Sequence, residues 1–165
     1  MKAELATFAD RSTVLFVRTL QAPIERVWAY LTEPDYLAKW LMGGVIAQSV
    51  GGDVRLELGA TGRVTAFEPP HLLEYTWNEE DASVGPVVNS LVRWELAREG
   101  AATRLTLTHT RLPEVELVGH GAGWDTFLQR LAAALDDREL EEFYDLYARI
   151  KPQYIAAAQA AGIAM

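Results

Sequence analysis

The spacing of hydrophobic positions changes character several times along the chain. Residues 13–20 form a short run rich in β-branched and aromatic side chains, which predicts a strand. Apolar residues then recur at helical spacing over 24–31 and again over 37–41. Because Pro23 and Pro34 suit the first position of a helix, we predict two short helices here.

From Gly44 onward the hydrophobic period is two, the pattern of strands with one face buried and the other in water. Glycine, proline and acidic residues, such as the polar turn 78–83, separate these segments. The connections are too short for crossover helices, so we predict an antiparallel meander. Its inner face holds alternating residues of the longest strand and of the last one: Val88, Ser90, Val92, Trp94 and Leu96, then Leu105, Leu107 and His109.

The carboxyl-terminal third is helical in pattern. We predict that the run Gly119–Gly123 opens a long helix and bends its entry, and that its small residues allow close packing. An apolar stripe follows it: Trp124, Phe127, Leu128, Leu131 and Leu135. An amphipathic tail with an expected kink at Pro152 then carries apolar side chains on one face: Phe143, Leu146, Tyr147, Ile150 and Tyr154.

This order of elements predicts one α+β domain over residues 1–138, with a helix covering the sheet. Residues 139–165 form a helical extension, which packs either on the same domain or on a partner in a homodimer. A chain of 165 residues is long enough for one hydrophobic core without disulfides or a structural metal.

Charge and cysteine content exclude several classes of function. The chain has 15 basic and 23 acidic residues, a net charge of −8, which argues against nucleic acid and against anionic membrane surfaces as partners. It has no cysteine, so thiolate nucleophiles and cysteine-ligated metals are excluded. The first six residues lack the apolar core of a signal peptide. We expect a soluble, cytoplasmic protein with no cofactor.

Several local motifs, in this order, resemble the START-like (SRPBCC) superfamily and its branch related to the activator of the Hsp90 ATPase. The motifs extend to about Leu135 and comprise Ala22–Trp28, Tyr36–Trp40, Gly62–Val64 with Pro69-Pro70, Leu73–Trp77, Val92–Leu96, Thr103–His109 and Gly123-Trp124 before Leu128–Leu131. The resemblance implies a helix-grip (START/Bet v-like) fold: two short helices after the first strand, and a curved antiparallel sheet wrapped around a long helix.

The resemblance also implies a cavity between the sheet and the long helix. The leading hypothesis is therefore a domain that binds a hydrophobic or aromatic small molecule there, oriented by Ser90, His109 and the Tyr75 hydroxyl. The predicted ligand-binding residues are Trp40, Leu56, Tyr75, Trp77, Ser90, Val92, Trp94, Leu107, His109, Trp124, Phe127, Leu128 and Leu131.

Two other functions stay open. Family likeness suggests an interaction protein that stimulates an Hsp90-type chaperone ATPase. Some helix-grip relatives are polyketide cyclases or hydrolases, in which case His109 is the candidate acid–base group, with Arg111 or Tyr75 beside it. His71 and His120 are interpreted as turn residues, and the acidic runs 79–81 and 136–142 as solvated side chains rather than a metal site.

Overall fold

The computed structural model describes residues 5–82 and 84–165. Residues 1–4, which belong to the segment tested for a signal peptide, and Ser83 of the polar turn lie outside the described residues. The strands are β1 (Thr7–Asp10), β2 (Thr13–Leu20), β3 (Gly44–Ile46), β4 (Asp53–Leu56), β5 (Thr61–Glu68), β6 (Leu72–Glu79), β7 (Val87–Glu99) and β8 (Ala102–Thr110). The α-helices are α1 (Ile24–Thr32), α2 (Pro34–Trp40), α3 (Leu117–Leu135) and α4 (Phe143–Ala161).

The strands form one curved antiparallel sheet in the order β1-β2-β8-β7-β6-β5-β4-β3. Strand β2 pairs with β8, and β8 pairs in turn with β7, so the first long strand closes one side of the meander. The predicted mixed fold, with its antiparallel sheet, two short helices and a long helix, is confirmed.

Helix α3 covers the inner face of the sheet and makes the core. Its apolar stripe is buried, from Trp124 through Leu135. Strands β7 and β8 bury alternate residues against it, including Trp94, Leu107 and His109, because side chains of period two reach the same face of a strand. Sheet and helix thus form two layers around one hydrophobic core.

Two local predictions are wrong, and one strand was not predicted. Helix α3 begins at Leu117, so the glycine run lies inside its first two turns and does not open the helix. Strand β1 pairs with β2 but has no clear alternation to reveal it. Val88 is 67% exposed whereas Val87 is buried, because the pairing of β6 with β7 shifts register near Asn89, which has a φ of 52°. Such a bulge exchanges the two faces of a strand.

Helix α4 packs on α3 of the same chain. It buries Leu146, Ile150 and Tyr154, and it continues through Pro152 without a break. The Tyr154 hydroxyl donates to Asp125 on α3 over 2.7 Å, and it accepts the backbone N–H of Ala6 over 2.9 Å. Gly121 permits this contact, since a Cβ there would lie 2.8 Å from the Tyr154 ring.

Candidate functional site

A cavity of about 420 Å³ lies between the end of β6, the first half of α3 and the start of α4. Its volume falls in the range of small-molecule sites. Most of its lining is apolar or aromatic, with three carboxylates and one histidine. The lining residues are Met42, Glu57, Leu58, Trp77, Glu79, Asp81, Ala82, Gly119, His120, Gly123, Trp124, Phe127, Phe143, Tyr144 and Tyr147.

The solvent exposure of the lining residues falls from the mouth of the cavity to its inner wall. Glu57, Asp81 and Tyr144 are exposed, so they mark where the cavity meets solvent. Trp77 and Trp124 are buried, with their ring centroids 5.2 Å apart, and they form the inner wall. This arrangement gives an apolar body a place to bury itself and leaves polar contacts near the mouth.

The aromatic wall extends onto α4. The Phe127 ring on α3 lies 4.6 Å from the Phe143 ring, and Phe143 stacks on Tyr147 at 5.7 Å. Helix α4 therefore contributes one side of the cavity as well as covering α3.

Two carboxylates hold His120 at the wall of the cavity. Its Nε2 lies 3.3 Å from a Glu79 carboxylate oxygen, and its Nδ1 lies 3.0 Å from the Glu116 carbonyl oxygen and 3.3 Å from the Glu116 carboxylate. The Trp77 indole N–H donates to the same Glu79 carboxylate. The sequence-based interpretation of His120 as a turn residue is wrong, since it lies within α3.

These contacts keep His120 charged at neutral pH. Burial alone would lower the pKa of His120, but hydrogen bonds and charge from Glu116 and Glu79 outweigh it and raise the pKa to about 9. Burial likewise opposes ionisation of Glu116, yet His120 and the backbone N–H of Val84 lower the pKa of the Glu116 carboxyl. The result is an ion pair beside the cavity.

Glu116 also fixes the loop between β6 and β7. Its carboxylate accepts the backbone N–H of Val84 over 2.6 Å, although Glu116 itself is only 1% exposed. Asp81 and Ala82 of the same loop line the cavity. The buried Glu116 carboxylate therefore links the start of α3 to the loop that forms part of the cavity mouth.

His109 lies behind this wall and is neutral. Burial, followed by the nearby charge of His120, lowers the pKa of His109 well below its ordinary value. The Trp124 indole N–H donates to Nδ1 over 2.9 Å. Nε2 is therefore the protonated nitrogen and donates to the Ser90 hydroxyl over 2.8 Å, and Ser90 donates to the Trp77 carbonyl over 2.8 Å.

This chain of bonds uses both ring nitrogens of His109. A general base needs a free lone pair within reach of a substrate proton. Because the Nδ1 lone pair accepts from Trp124 and His109 does not line the cavity, the geometry gives no support to the predicted catalytic role. Tyr75 is equally enclosed: its hydroxyl accepts the Trp94 indole N–H over 3.0 Å, and burial raises its pKa.

Three of the predicted ligand-binding residues line the cavity: Trp77, Trp124 and Phe127. The other ten are buried in the core around it, and direct ligand contact by them stays a prediction. They are Trp40, Leu56, Tyr75, Ser90, Val92, Trp94, Leu107, His109, Leu128 and Leu131.

The sequence analysis did not predict the charged residues that line the cavity or the tyrosines at its mouth. The sequence predicts that the run 79–81 is solvated, but Glu79 is the last residue of β6, with a side chain only 18% exposed, and it lines the cavity. The position of Trp77 two residues earlier, on the inner face of the same strand, is a signal that could have placed Glu79 there. Tyr144 and Tyr147 reach the cavity only because α4 docks on α3.

A second, larger groove of about 740 Å³ lies between β2, α3 and the segment joining α3 to α4. Much of its lining is exposed and charged. Arg138 pairs with Asp136, and the Arg130 side chain donates to the Trp40 and Glu141 carbonyls. With its charges used in this way, the groove has less to offer an organic ligand than the aromatic cavity.

Within residues 5–82 and 84–165, no group of three or more histidine and acidic side chains is placed to hold a metal ion. In the same ranges, none of the helices has the length and apolarity needed to cross a membrane.

Comparison with known protein families shows the family to which this chain belongs. The family described as activator of Hsp90 ATPase homolog 1-like protein matches residues 21–136, most of the chain. The chain belongs to this family. The match begins just after β2, so it contains α1, α2, strands β3–β8 and all of α3, but not β1, β2 or α4. No curated protein matches the chain significantly.

Solved structures share the fold of this family member. A protein encoded by gene BPP1335 of Bordetella parapertussis is 30% identical, with 90% of this chain and 87% of that chain covered and a TM-score of 0.73. CalU16 from Micromonospora echinospora is 26% identical, with 87% and 86% covered and a TM-score of 0.73. PFC0360w, an Hsp90 activator from Plasmodium falciparum, is 21% identical, with 76% and 96% covered and a TM-score of 0.66, which shows the fold alone.

Proposed function

We propose that this protein binds a small, largely apolar molecule in the cavity between β6, α3 and α4. The observation that carries the proposal is the cavity itself, about 420 Å³ in volume and walled by Trp77, Trp124 and Phe127. An apolar ligand in this cavity would replace water at aromatic walls and gain dispersion contacts with them, which supports the proposal.

The expected affinity is modest. A bicyclic aromatic body that buries roughly 300 Å² of apolar surface gains about 7 kcal/mol at ~25 cal/mol/Å², before the costs of association. That gain corresponds to dissociation constants in the micromolar range at best.

Gly123 supplies a variant that blocks the cavity without damaging the core. It lines the cavity, and a Cβ added there meets no atom within 4 Å. Gly123→Leu would therefore place a side chain in the space that a ligand needs, while replacing a helix-interior glycine with a good helix former.

The test is a thermal-shift and native mass-spectrometry screen of aromatic and lipid-like compounds on the wild type and on Gly123→Leu. We expect micromolar ligands that stabilise the wild type and fail to stabilise the folded variant. Compounds that bind both proteins equally, or no binding at all to the wild type, would refute the proposal.

A second candidate function is contact with an Hsp90-type chaperone, favoured by the family match over residues 21–136. It predicts a faster chaperone ATPase rate when the protein is added. It also predicts that Gly123→Leu keeps this effect, because the contact would use the surface and not the cavity. An unchanged ATPase rate removes this candidate.

A further inference from the structure

The polar groups that line the cavity are unevenly charged. Glu57, Glu79 and Asp81 lie along it, whereas among its described lining residues there is no lysine or arginine. His120 is the one basic group in that set, and its two ring nitrogens face Glu79 and Glu116. A bound anion would therefore meet carboxylates and an imidazolium that is already paired.

The aromatic rings at the mouth of the cavity can also interact favourably with a positively charged ligand. Tyr144 is 68% exposed at the mouth, and Tyr147 and Phe143 stack beside it. The faces of aromatic rings attract ammonium groups, most strongly where the surroundings are partly desolvated. Carboxylates and ring faces thus occur together at the same opening.

We propose that the cavity selects a hydrophobic organic cation, an ammonium group carried on an aromatic or aliphatic body. The body packs against Trp77, Trp124 and Phe127, and the ammonium group lies beside the exposed carboxylates of Glu57 and Asp81 at the mouth. This proposal rests on the proposed function, because it names the chemistry of the same ligand.

Three probes that share a naphthalene body test the charge: 1-naphthylmethylamine, 1-naphthalenemethanol and 1-naphthoate, each titrated calorimetrically at pH 7. We expect the amine to bind roughly tenfold more tightly than the alcohol, and the carboxylate to bind most weakly. Raising the salt concentration should weaken the amine and leave the alcohol unchanged.

The double variant Glu57→Gln with Asp81→Asn should remove most of the advantage of the amine, because it removes the charge of the two exposed carboxylates at the mouth. Glu68→Gln is the matched control: Glu68 is exposed and pairs with Leu72, at the opposite end of β6 from Glu79. Glu79→Gln should lower the advantage less, because the Glu79 carboxylate already pairs with His120 and accepts the Trp77 indole N–H.

The outcomes separate the two proposals. If the alcohol or the carboxylate binds as tightly as the amine, the cavity still binds ligands but the charge selection is refuted. If the amine is preferred equally by the wild type and by the double variant at positions 57 and 81, these carboxylates do not select the cation and the inference is refuted. If none of the probes binds, the proposed function fails and this inference fails with it.

Discussion

Trp94 and Trp77 occupy neighbouring strands on the same inner face of the sheet, yet their surroundings differ. Trp94 is 1% exposed, donates its indole N–H to the neutral Tyr75 hydroxyl and packs edge-on against Trp40. Trp77 donates to the Glu79 carboxylate and faces a cavity. We call the surroundings of Trp94 the filled half of the seam between sheet and α3, and those of Trp77 the hollow half.

The difference follows from the polar partner. A neutral hydroxyl that has a hydrogen-bond partner can be enclosed at modest cost, but a carboxylate cannot be taken from water without a strong partner. Glu79 and Glu116 have one, in His120, and the cluster stays near the cavity mouth. The charged Glu79 carboxylate at the end of β6 thus lies beside the cavity, whereas the neutral hydrogen bond between Trp94 and Tyr75 lies in the closed core.

The largest expected effect is on the filled half. Trp94→Ala should lower the free energy of unfolding by about 3–5 kcal/mol, because it leaves a large void and a buried Tyr75 hydroxyl without its donor. Urea denaturation measures this loss. Trp94→Phe should fall between the wild type and Trp94→Ala, and a loss under about 1 kcal/mol for Trp94→Ala would mean that this half is not tightly packed.

Alanine substitutions at two glycines of α3 compare close packing with the open space of the hollow half. Gly121→Ala should destabilise the fold by about 1–3 kcal/mol, because its Cβ would lie 2.8 Å from the Tyr154 ring. Gly123→Ala should stabilise it by up to about 1 kcal/mol, because the Cβ enters open space and the helix gains a better former. Thermal or urea unfolding of both variants measures the two changes in the free energy of unfolding. Equal effects of the same sign would contradict the assignment of Gly123 to the hollow half.

The two histidines predict opposite dependences of stability on pH. The folded pKa of His120 is about 9, above its ordinary value of 6.5, so its stabilisation is complete below pH 6.5 and is lost as the pH rises to about 9. The folded pKa of His109 is well below 6.5, so keeping it neutral costs stability as the pH falls below 6.5. The slope from one such group is at most about 1.4 kcal/mol per pH unit.

Unfolding measured from pH 5 to 9 tests this prediction. His120→Gln should flatten the loss between pH 7 and 9, since it removes the group that faces Glu79, Glu116 and His109. If the variant keeps the alkaline slope of the wild type, the ion pair does not stabilise the fold in the way described.

The smallest effect on stability is expected at the mouth. Tyr144 is 68% exposed, so Tyr144→Ala should change the free energy of unfolding by less than about 0.5 kcal/mol. It should nevertheless weaken naphthylmethylamine several-fold, because a ring face beside the ammonium is lost. Urea denaturation and calorimetric titration of the same variant measure the two effects. Unchanged binding would place the ligand away from α4.

The hydrophobic pattern was sufficient for the architecture wherever one face of an element is dry. Strand β8 and the stripe of α3 show their periods clearly because each buries alternate or helically spaced residues. Strand β1 has four residues, mostly exposed, and so carries no such period. The bulge at Asn89 is a local backbone choice that a period of two does not encode.

The site was harder to predict because it depends on contacts between distant segments. Trp77, Trp124 and Phe127 could be placed from their strand and helix faces. Tyr144 joins them only through the docking of α4, which the bond between Tyr154 and Asp125 fixes. Whether an inward polar residue faces core or cavity also escapes periodicity: His109 and Glu79 both lie by the seam, one enclosed and one beside open space.

The most direct test of the central claim uses the indole N–H signals of the five tryptophans in a ¹⁵N-labelled sample titrated with 1-naphthalenemethanol. Tryptophan-to-phenylalanine variants assign the signals, and Trp28, which packs on Phe67 outside the seam, is the internal control. The account predicts that the Trp77 and Trp124 signals shift most and that those of Trp40, Trp94 and Trp28 change little. Shifts that are largest at Trp40 and Trp94, or absent at Trp77 and Trp124 at saturation, would contradict it.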